Sequence, residues 1–544
     1  MCARQMPEFK ELRQTQDISE PPATFGRILR QIGPGLIIAA NIVGSGELIM
    51  TTKTGAEAGI SLLWLVIVGC LVKVFVQLEL GRYTISHGET TLSSLNRVPG
   101  PRIAGVNWVV MWWAVMMCAT IGQLGGIVGG VGQSLAMTIP ITGDYRQMIA
   151  TPSEADIVAY AGWKKQYGDA ASAPETAPEL RRMKWIARDI SAIGDRGTQL
   201  LAMASQGTPL VNESGVSLVD YSTNDDRTWV IIMGFATSAL LFYGRYGFIE
   251  KASVILVVSF TLITVGNVIS LQMTNEYSIS GEQIIRGLSF GLPEKSGAML
   301  TALATFGIIG VGATELISYP YWCMEKGYAK SCGPRDDSES WLRRALGWYR
   351  VMRVDAFASM IIYTVATAAF YFLGVAVLHS EGRNPDGMRM ISTVAQSYIP
   401  VFGEYAKWLF LVGAFAVLYS TYLVANAGNA RMMADFAGVM GWCERDPDGQ
   451  RRKSFVRGLS TLLPLACVAA FILIPKPVHL IAISGLTQAV MLPILALSSI
   501  YFRHTFTDQR LRPGKLWDTF LLVSSTALLI AGVWGVYEKS RDLF

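Results

Sequence analysis

The stretch GPGLIIAANIVGSGELIMTTKTGAEAG, residues 33–59, decides the fold. Wound as a helix it is long enough to cross a bilayer core of about 30 Å. Gly44-Ser45-Gly46 stands at its centre, followed directly by Glu47. Glycine costs a helix interior about 1 kcal/mol relative to alanine, so the tripeptide marks an expected unwinding point. A carboxylate at mid-membrane costs roughly 2.5–3.5 kcal/mol even on the gentlest insertion scale, and ionisable groups there default to function. The segment therefore reads as a membrane span interrupted at a site.

Further apolar blocks follow along the 544 residues, of which 51% are hydrophobic and only 16% charged. A soluble chain of this length carries about a quarter charged residues. Spans are expected near 33–56, 60–83, 105–136, 229–245, 249–272, 298–324, 352–379, 404–434, 455–474, 478–503 and 515–537. The predicted class is an all-α membrane protein with about eleven transmembrane helices. Residues 1–30 are polar and charged, so the first apolar span itself directs insertion. Lysine and arginine crowd the short loops at 325–353, 431–457 and 503–515, which sets the N-terminus in the cytoplasm and the C-terminus outside. The net charge of +5 thus expresses membrane topology and not a nucleic-acid partner. The expected division is a cytoplasmic segment 1–32, spans 1–3 over 33–138, an extracytoplasmic polar insert 139–228, spans 4–11 over 229–537 and a tail 538–544. The insert, with helical stretches such as PELRRMKWIARDISAI, reads as a small helical cap or as a surface for an extracytoplasmic partner.

A second interrupted span lies at 303–327, LATFGIIGVGATELISYPYWCMEKG. Its centre repeats the first: Gly44-Ser45-Gly46-Glu47-Leu48-Ile49 against Gly312-Ala313-Thr314-Glu315-Leu316-Ile317. Spans 1 and 6 each open a group of five, and an offset of five reverses membrane direction. That is the pattern of an inverted repeat, whose discontinuous helices surround a midplane site. Glu47 and Glu315 would then approach one cavity, where hard oxygens suit Mg²⁺ or Mn²⁺. The local alternative is that each glutamate caps its own half-helix, or that Glu47 pairs with Lys53 or Lys73. Asn41, Gln123, Asn426, Asn429 and Gln488 either line a cavity or bond across helices. Glu79 beside Arg82 and Asp355 beside Arg353 read as local ion pairs.

Other chemistries find little support. The seven cysteines show no metal or disulfide spacing, and the four histidines fall in or near loops. No Walker A lysine motif is present, so ATP-driven pumping by this chain alone is disfavoured. No soluble-enzyme motif or cofactor fingerprint appears, and no cofactor is expected.

On these residues the chain resembles a divergent member of the Nramp family of divalent-metal transporters. The resemblance is carried by 33–59, by LLWLVIVGCLVKVFVQLELGRYTISHGET at 62–90, by RYGFIEKASVILV at 245–257, by FGIIGVGATE at 306–315 and by AVMLPILAL at 489–497. It implies the LeuT-type fold of the amino acid-polyamine-organocation superfamily: a 5+5 inverted repeat with broken helices 1 and 6, plus one extra C-terminal helix. The family's Asp-Pro-Gly-Asn falls on Gly44-Ser45-Gly46-Glu47, and its Ala-Thr-Val-Met-Pro-His on Ala313-Thr314-Glu315-Leu316-Ile317-Ser318. The methionine sulfur is thus Leu316 and the histidine is Ser318, which points away from a conventional iron or manganese importer toward harder ions. The implied substrate site is Gly44, Ser45, Gly46, Glu47, Ala313, Thr314, Glu315 and Ser318, with Glu47 and Glu315 as metal ligands and Gly44 and Ala313 offering backbone oxygens. The expected protein is a secondary transporter in a bacterial plasma membrane. The alternatives are an amino-acid or small organic-ion transporter, since Gly44-Ser45-Gly46 is similar to the break of such carriers, and a non-transporting sensor.

Overall fold

Backbone N–H and C=O groups in hydrocarbon must be paired within the segment that crosses it, so the apolar blocks can only wind into helices. The computed structural model describes residues 18–168, 180–243, 246–293, 296–336, 338–385, 387–399, 403–442 and 450–541. Spans 2 to 5 are Leu63–His87, Trp108–Thr138, Asp225–Tyr243 and Tyr246–Leu271. Spans 8 to 11 are Glu404–Val439, Gln450–Leu473, Pro477–Thr505 and Lys515–Arg541. Eight helical stretches among the described residues are long and apolar enough to cross a membrane, and the first of them, Pro34–His87, holds both span 1 and span 2. The two are separated by the 3-10 turn Gly59–Leu62, where Gly59 takes φ +58°.

Several boundaries differ from expectation. Span 3 starts at Trp108 because residues 102–107 pair as a two-stranded hairpin and Asn107 caps the helix, its Oδ1 accepting from Val109 N at 2.9 Å. Span 7, Glu339–Leu373, begins well before 352 and ends in the π-helical turn Gly374–His379. Span 11 runs on to Arg541, so most of the expected tail 538–544 is helix. Cys70, Cys118, Cys323, Cys332 and Cys467 are free thiols, while Cys2 and Cys443 lie outside the described residues.

The two interrupted spans are interrupted differently. Span 6 is broken as expected, but at 309–312, between Ser296–Ile308 and Ala313–Lys326. Gly310 sits there at φ +56°, a conformation glycine adopts without steric cost. Span 1 is not unwound at Gly44-Ser45-Gly46. It passes from the α-helix Pro34–Ile42 through a π-helix, Val43–Thr51, into Thr52–Ala58. The hydroxyl of Thr51 donates to Gly46 O at 3.0 Å, holding that carbonyl five residues back. The wider winding, of a kind found as bulges at functional sites, replaces the break.

These two spans form the centre of the bundle. Span 1 packs on spans 6, 7 and 8, span 6 also on spans 2 and 10, and span 3 on spans 4, 8, 9 and 10. Span 11 covers spans 2 and 10. Where spans 6 and 10 cross, backbones touch: a Cβ at Gly307 would overlap the carbonyl oxygen of Gly485. Asp355 of span 7 is not the partner of Arg353. Its Oδ1 accepts from Gly33 N at 2.9 Å and its Oδ2 from Gly35 N at 2.6 Å and Tyr319 OH at 3.0 Å. A carboxylate thus answers the orphan amides at the start of span 1. Glu79 does meet Arg82 at 3.3 Å, and it also accepts from Arg503 Nη1 at 3.3 Å and Trp517 Nε1 at 2.6 Å.

The insert folds on its own core. Its helices Glu154–Tyr167, Leu180–Ala192 and Gly194–Ser205 enclose a separate apolar cluster that includes Ile157, Tyr160, Met183, Ile186 and Leu200, while the helix Asp144–Ala150 buries Tyr145 and Met148 in the core of the bundle. A reciprocal clasp closes its base. Asp225 accepts from the amides of Ile141, Thr142 and Gly143, and Asp144 accepts from those of Asn224 and Asp225.

Gly307→Ala should separate spans 6 and 10 and lower the thermal midpoint in detergent, by the equivalent of about 1–3 kcal/mol or more. Gly162→Ala, in an insert helix with nothing within 4 Å of the new methyl, should leave it unchanged or raise it. Equal effects from the two would contradict this packing.

Candidate functional site

The break of span 6 exposes two helix ends inside the bundle. The carbonyl end of Ser296–Ile308 carries negative partial charge and the amide end of Ala313–Lys326 positive, each equivalent to about half an elementary charge. Neither can be left to hydrocarbon.

Charged groups meet both ends. Lys73 of span 2 is fully buried, and its Nζ donates to Phe306 O at 2.5 Å and Ile309 O at 2.7 Å. Glu47 of span 1 is fully buried beside the turn, and its Oε1 accepts from Gly310 N at 3.3 Å and from Thr367 Oγ1 of span 7 at 2.8 Å. Glu47 Oε2 has no hydrogen-bond partner. Glu315, 8% exposed, is the third residue of the second half-helix, and its Oε1 accepts from Asn41 Nδ2 of span 1 at 2.6 Å. Asn41 Oδ1 is also buried and unpartnered. Two carboxylates from spans 1 and 6 therefore stand at one turn, 309–312.

A polar cluster continues from Glu315 toward spans 3 and 10. Gln488 Oε1 accepts from Thr314 N at 3.2 Å, and its Nε2 donates to Gln123 Oε1 at 2.9 Å. Ser484 Oγ donates to the same oxygen at 2.7 Å. The hydroxyls of Thr120 and Thr314 lie 3.5 Å apart. Asn41, Gln123 and Gln488 thus bond across helices around the break, whereas Asn426 Nδ2 donates to Tyr422 O within its own helix and its Oδ1 accepts from Cys467 Sγ of span 9 at 3.7 Å.

The expected residues divide accordingly. Gly44, Ser45 and Gly46 lie in the π-helical segment, with Gly46 facing the backbone of Ile308. Thr314 and Glu315 stand at the break. Ser318 is buried one turn further on, donating to Glu315 O at 3.4 Å. Ala313 is not a source of free carbonyl oxygen, because as the first helical residue its carbonyl enters the helix ladder. Of the carbonyls freed by the break, Lys73 holds those of Phe306 and Ile309. Lys53 does not meet Glu47 either. It pairs with Glu57 at 3.0 Å and reaches Asn384 Oδ1 and Pro385 O. Sequence reading missed Thr367, a lone hydroxyl in an apolar span with no local signal. It also missed Cys70, one turn before Lys73, whose Cα lies 2.9 Å from where a Cβ on Gly310 would stand. Among the described residues no group of three or more histidine, cysteine or acidic side chains is placed to hold a metal ion.

A family profile described as Nramp, Natural resistance-associated macrophage protein-like, matches residues 215–538, more than half of the chain. No curated protein sequence matches the chain. Solved structures to which it is similar include a mutant of the Eremococcus coleocola manganese transporter, at 14% identity over 98% of this chain and 99% of that one, with a TM-score of 0.48. They also include MhsT in complex with L-phenylalanine, at 15% identity over 96% of this chain and 99% of that one, with a TM-score of 0.47.

Thr367→Val should remove one of two donors to a buried carboxylate, at a cost of about 1–3 kcal/mol. Glu47→Gln weakens the same bond, so the two substitutions should be non-additive by roughly 0.5–3 kcal/mol. Thermal denaturation of both single variants and the double variant measures the coupling, and strict additivity would mean that Thr367 and Glu47 do not interact.

Proposed function

The chain belongs to the Nramp family, and on that premise we propose that it is a secondary transporter of a divalent metal cation, working by alternating access around spans 1 and 6. The observation that carries the reading is the buried carboxylate of Glu47, with one oxygen unpartnered, beside the broken span of a family member. A lone carboxylate oxygen in a low-dielectric interior calls for a cation. Asn41 Oδ1, unpartnered as well, and the oxygens of Glu315, Gln488 and Thr314 are the further donors nearby. All are hard oxygens, which suit Mg²⁺ or Mn²⁺. Two carboxylates with amide oxygens and retained water make up the kind of set that Mg²⁺ takes.

The proposed orientation follows the lysine and arginine bias of the short loops. The N-terminus is cytoplasmic, the C-terminus and the insert lie outside, and the membrane is the bacterial plasma membrane.

Liposomes containing the full chain should take up Mn²⁺ or Mg²⁺. Glu47→Gln and Glu315→Gln should each weaken the apparent affinity by an order of magnitude or more while the protein stays folded. Unchanged affinity in both would remove the ligand role. For topology, a cysteine at the exposed Gln199 of the insert should react with an impermeant thiol reagent in intact cells, in a background where Cys118 is replaced. Labelling only after permeabilisation would reverse the orientation.

A further inference from the structure

A lysine ammonium with no exposure to water is costly unless it is paired and hydrogen-bonded. Lys73 lies in the middle of span 2, fully buried, and yet its hydrogen-bond acceptors are not carboxylates. Its Nζ sits against two backbone carbonyl oxygens, Phe306 O and Ile309 O, and over the face of the Phe306 ring at 4.7 Å from the centroid. Carbonyl oxygens at the negative end of a half-helix, together with an aromatic face, make the shell that a free monovalent cation would take. The tether fills it permanently. Cys70, on the same face of span 2, packs against Gly310, so the span is held in register with the break.

We propose that the Lys73 ammonium is the resident monovalent cation of the span 6 break, and that transport by this chain therefore needs no Na⁺ or other free monovalent cation at the carbonyl end of that half-helix. The inference rests on the transport reading above, and goes beyond it by dividing the site into two. The carbonyl end is neutralised by the chain itself, and the substrate is left to the side where Glu47, Asn41 and Glu315 present oxygens. Lys73 acts as a positioning residue: it touches the backbone that shapes the site and not the transported ion.

Removal of the ammonium reopens the carbonyl shell. Full-length wild type and Lys73→Met are reconstituted in liposomes, and Mn²⁺ uptake is measured in NaCl, LiCl, KCl and choline chloride. Wild-type uptake should be the same in all four. Uptake by Lys73→Met should fall by an order of magnitude in choline and return in part with Na⁺ or Li⁺. Thermal melting in detergent gives a readout that does not need transport. Na⁺ or Li⁺ should raise the midpoint of Lys73→Met relative to choline, and should leave wild type unmoved. Wild-type uptake that depends on Na⁺, or stabilisation of wild type by Na⁺, would overturn the proposal even where the variant fails to fold. So would a folded Lys73→Met whose melting ignores every monovalent cation. If wild type moves no Mn²⁺, the transport reading fails, and the melting arms still decide the role of Lys73.

Discussion

Four residues, 309–312, that interrupt the helix in the middle of a membrane span set the terms for everything around them. In water the freed amides and carbonyls would be solvated at little cost. In the interior of a bundle each one left unpaired costs of order 1–3 kcal/mol. The neighbours of the break are accordingly the polar side chains of otherwise apolar helices: Lys73 from span 2, Glu47 from span 1, Gln488 from span 10. Glu315, within span 6 itself, stands at the amide end. The break selects its neighbours by charge, cations to the carbonyl end and acceptors to the amides. One carboxylate oxygen of Glu47 and the Oδ1 of Asn41 exceed that requirement, and this surplus suggests a ligand.

The two halves repeat in sequence but not in backbone, and one side chain explains the difference. Gly310, two residues before the repeated motif in span 6, takes φ +56°. The matching position in span 1 is Ile42, a β-branched residue for which positive φ is a genuine outlier. Ile42 instead stays helical at the end of Pro34–Ile42, and the glycines that follow relax the winding into a π-helix. Gly44-Ser45-Gly46 reads as a break because glycine lowers helix stability. It is not one, because the φ that ends a helix here must be taken two residues earlier.

Much of the architecture was legible because bilayer length and apolar run length are the same constraint. Each expected span has its helix, including the two that flank the insert. Boundaries strayed where a side chain caught the backbone, as Asn107 does at the start of span 3. Glu47 and Glu315 stood out because ionisable groups are rare in such spans, and Asn41, Gln123 and Gln488 were legible as polar groups that line a cavity or bond across helices, the second of which they do. Their partners were not. Lys73 looked like an ion-pair partner for Glu47, and only the position of the break reveals that its acceptors are carbonyls. Asp355 looked like half of a surface pair with Arg353, and its acceptors' true donors are glycine amides 320 and 322 residues away in sequence. Contacts to backbone leave no trace in side-chain patterns.

The C-terminal end of span 1 is restrained in a way that ties the insert to the site. Lys53 holds Asn384 and Pro385, His379 Nδ1 lies 2.9 Å from Ala56 O, and Asn384 Nδ2 donates to Glu57. The other face of that loop, 379–389, belongs to the insert. Trp185 Nε1 donates to Glu381 O at 2.9 Å, the Arg383 guanidinium lies 4.0 Å from the Trp185 ring centre, and Arg389 donates to Met148, Thr151 and Val219 carbonyls. Part-buried and backbone-directed, the Arg389 bonds are charge-assisted and belong to the stronger class. The Lys53 bonds, from a buried ammonium, are charge-assisted as well. Any displacement of residues 52–58 must either break the bonds of Lys53 or carry the loop with it. Span 1, the loop and the insert are thus joined by charge-assisted bonds on both faces of the loop, and displacement of one is resisted by the other two.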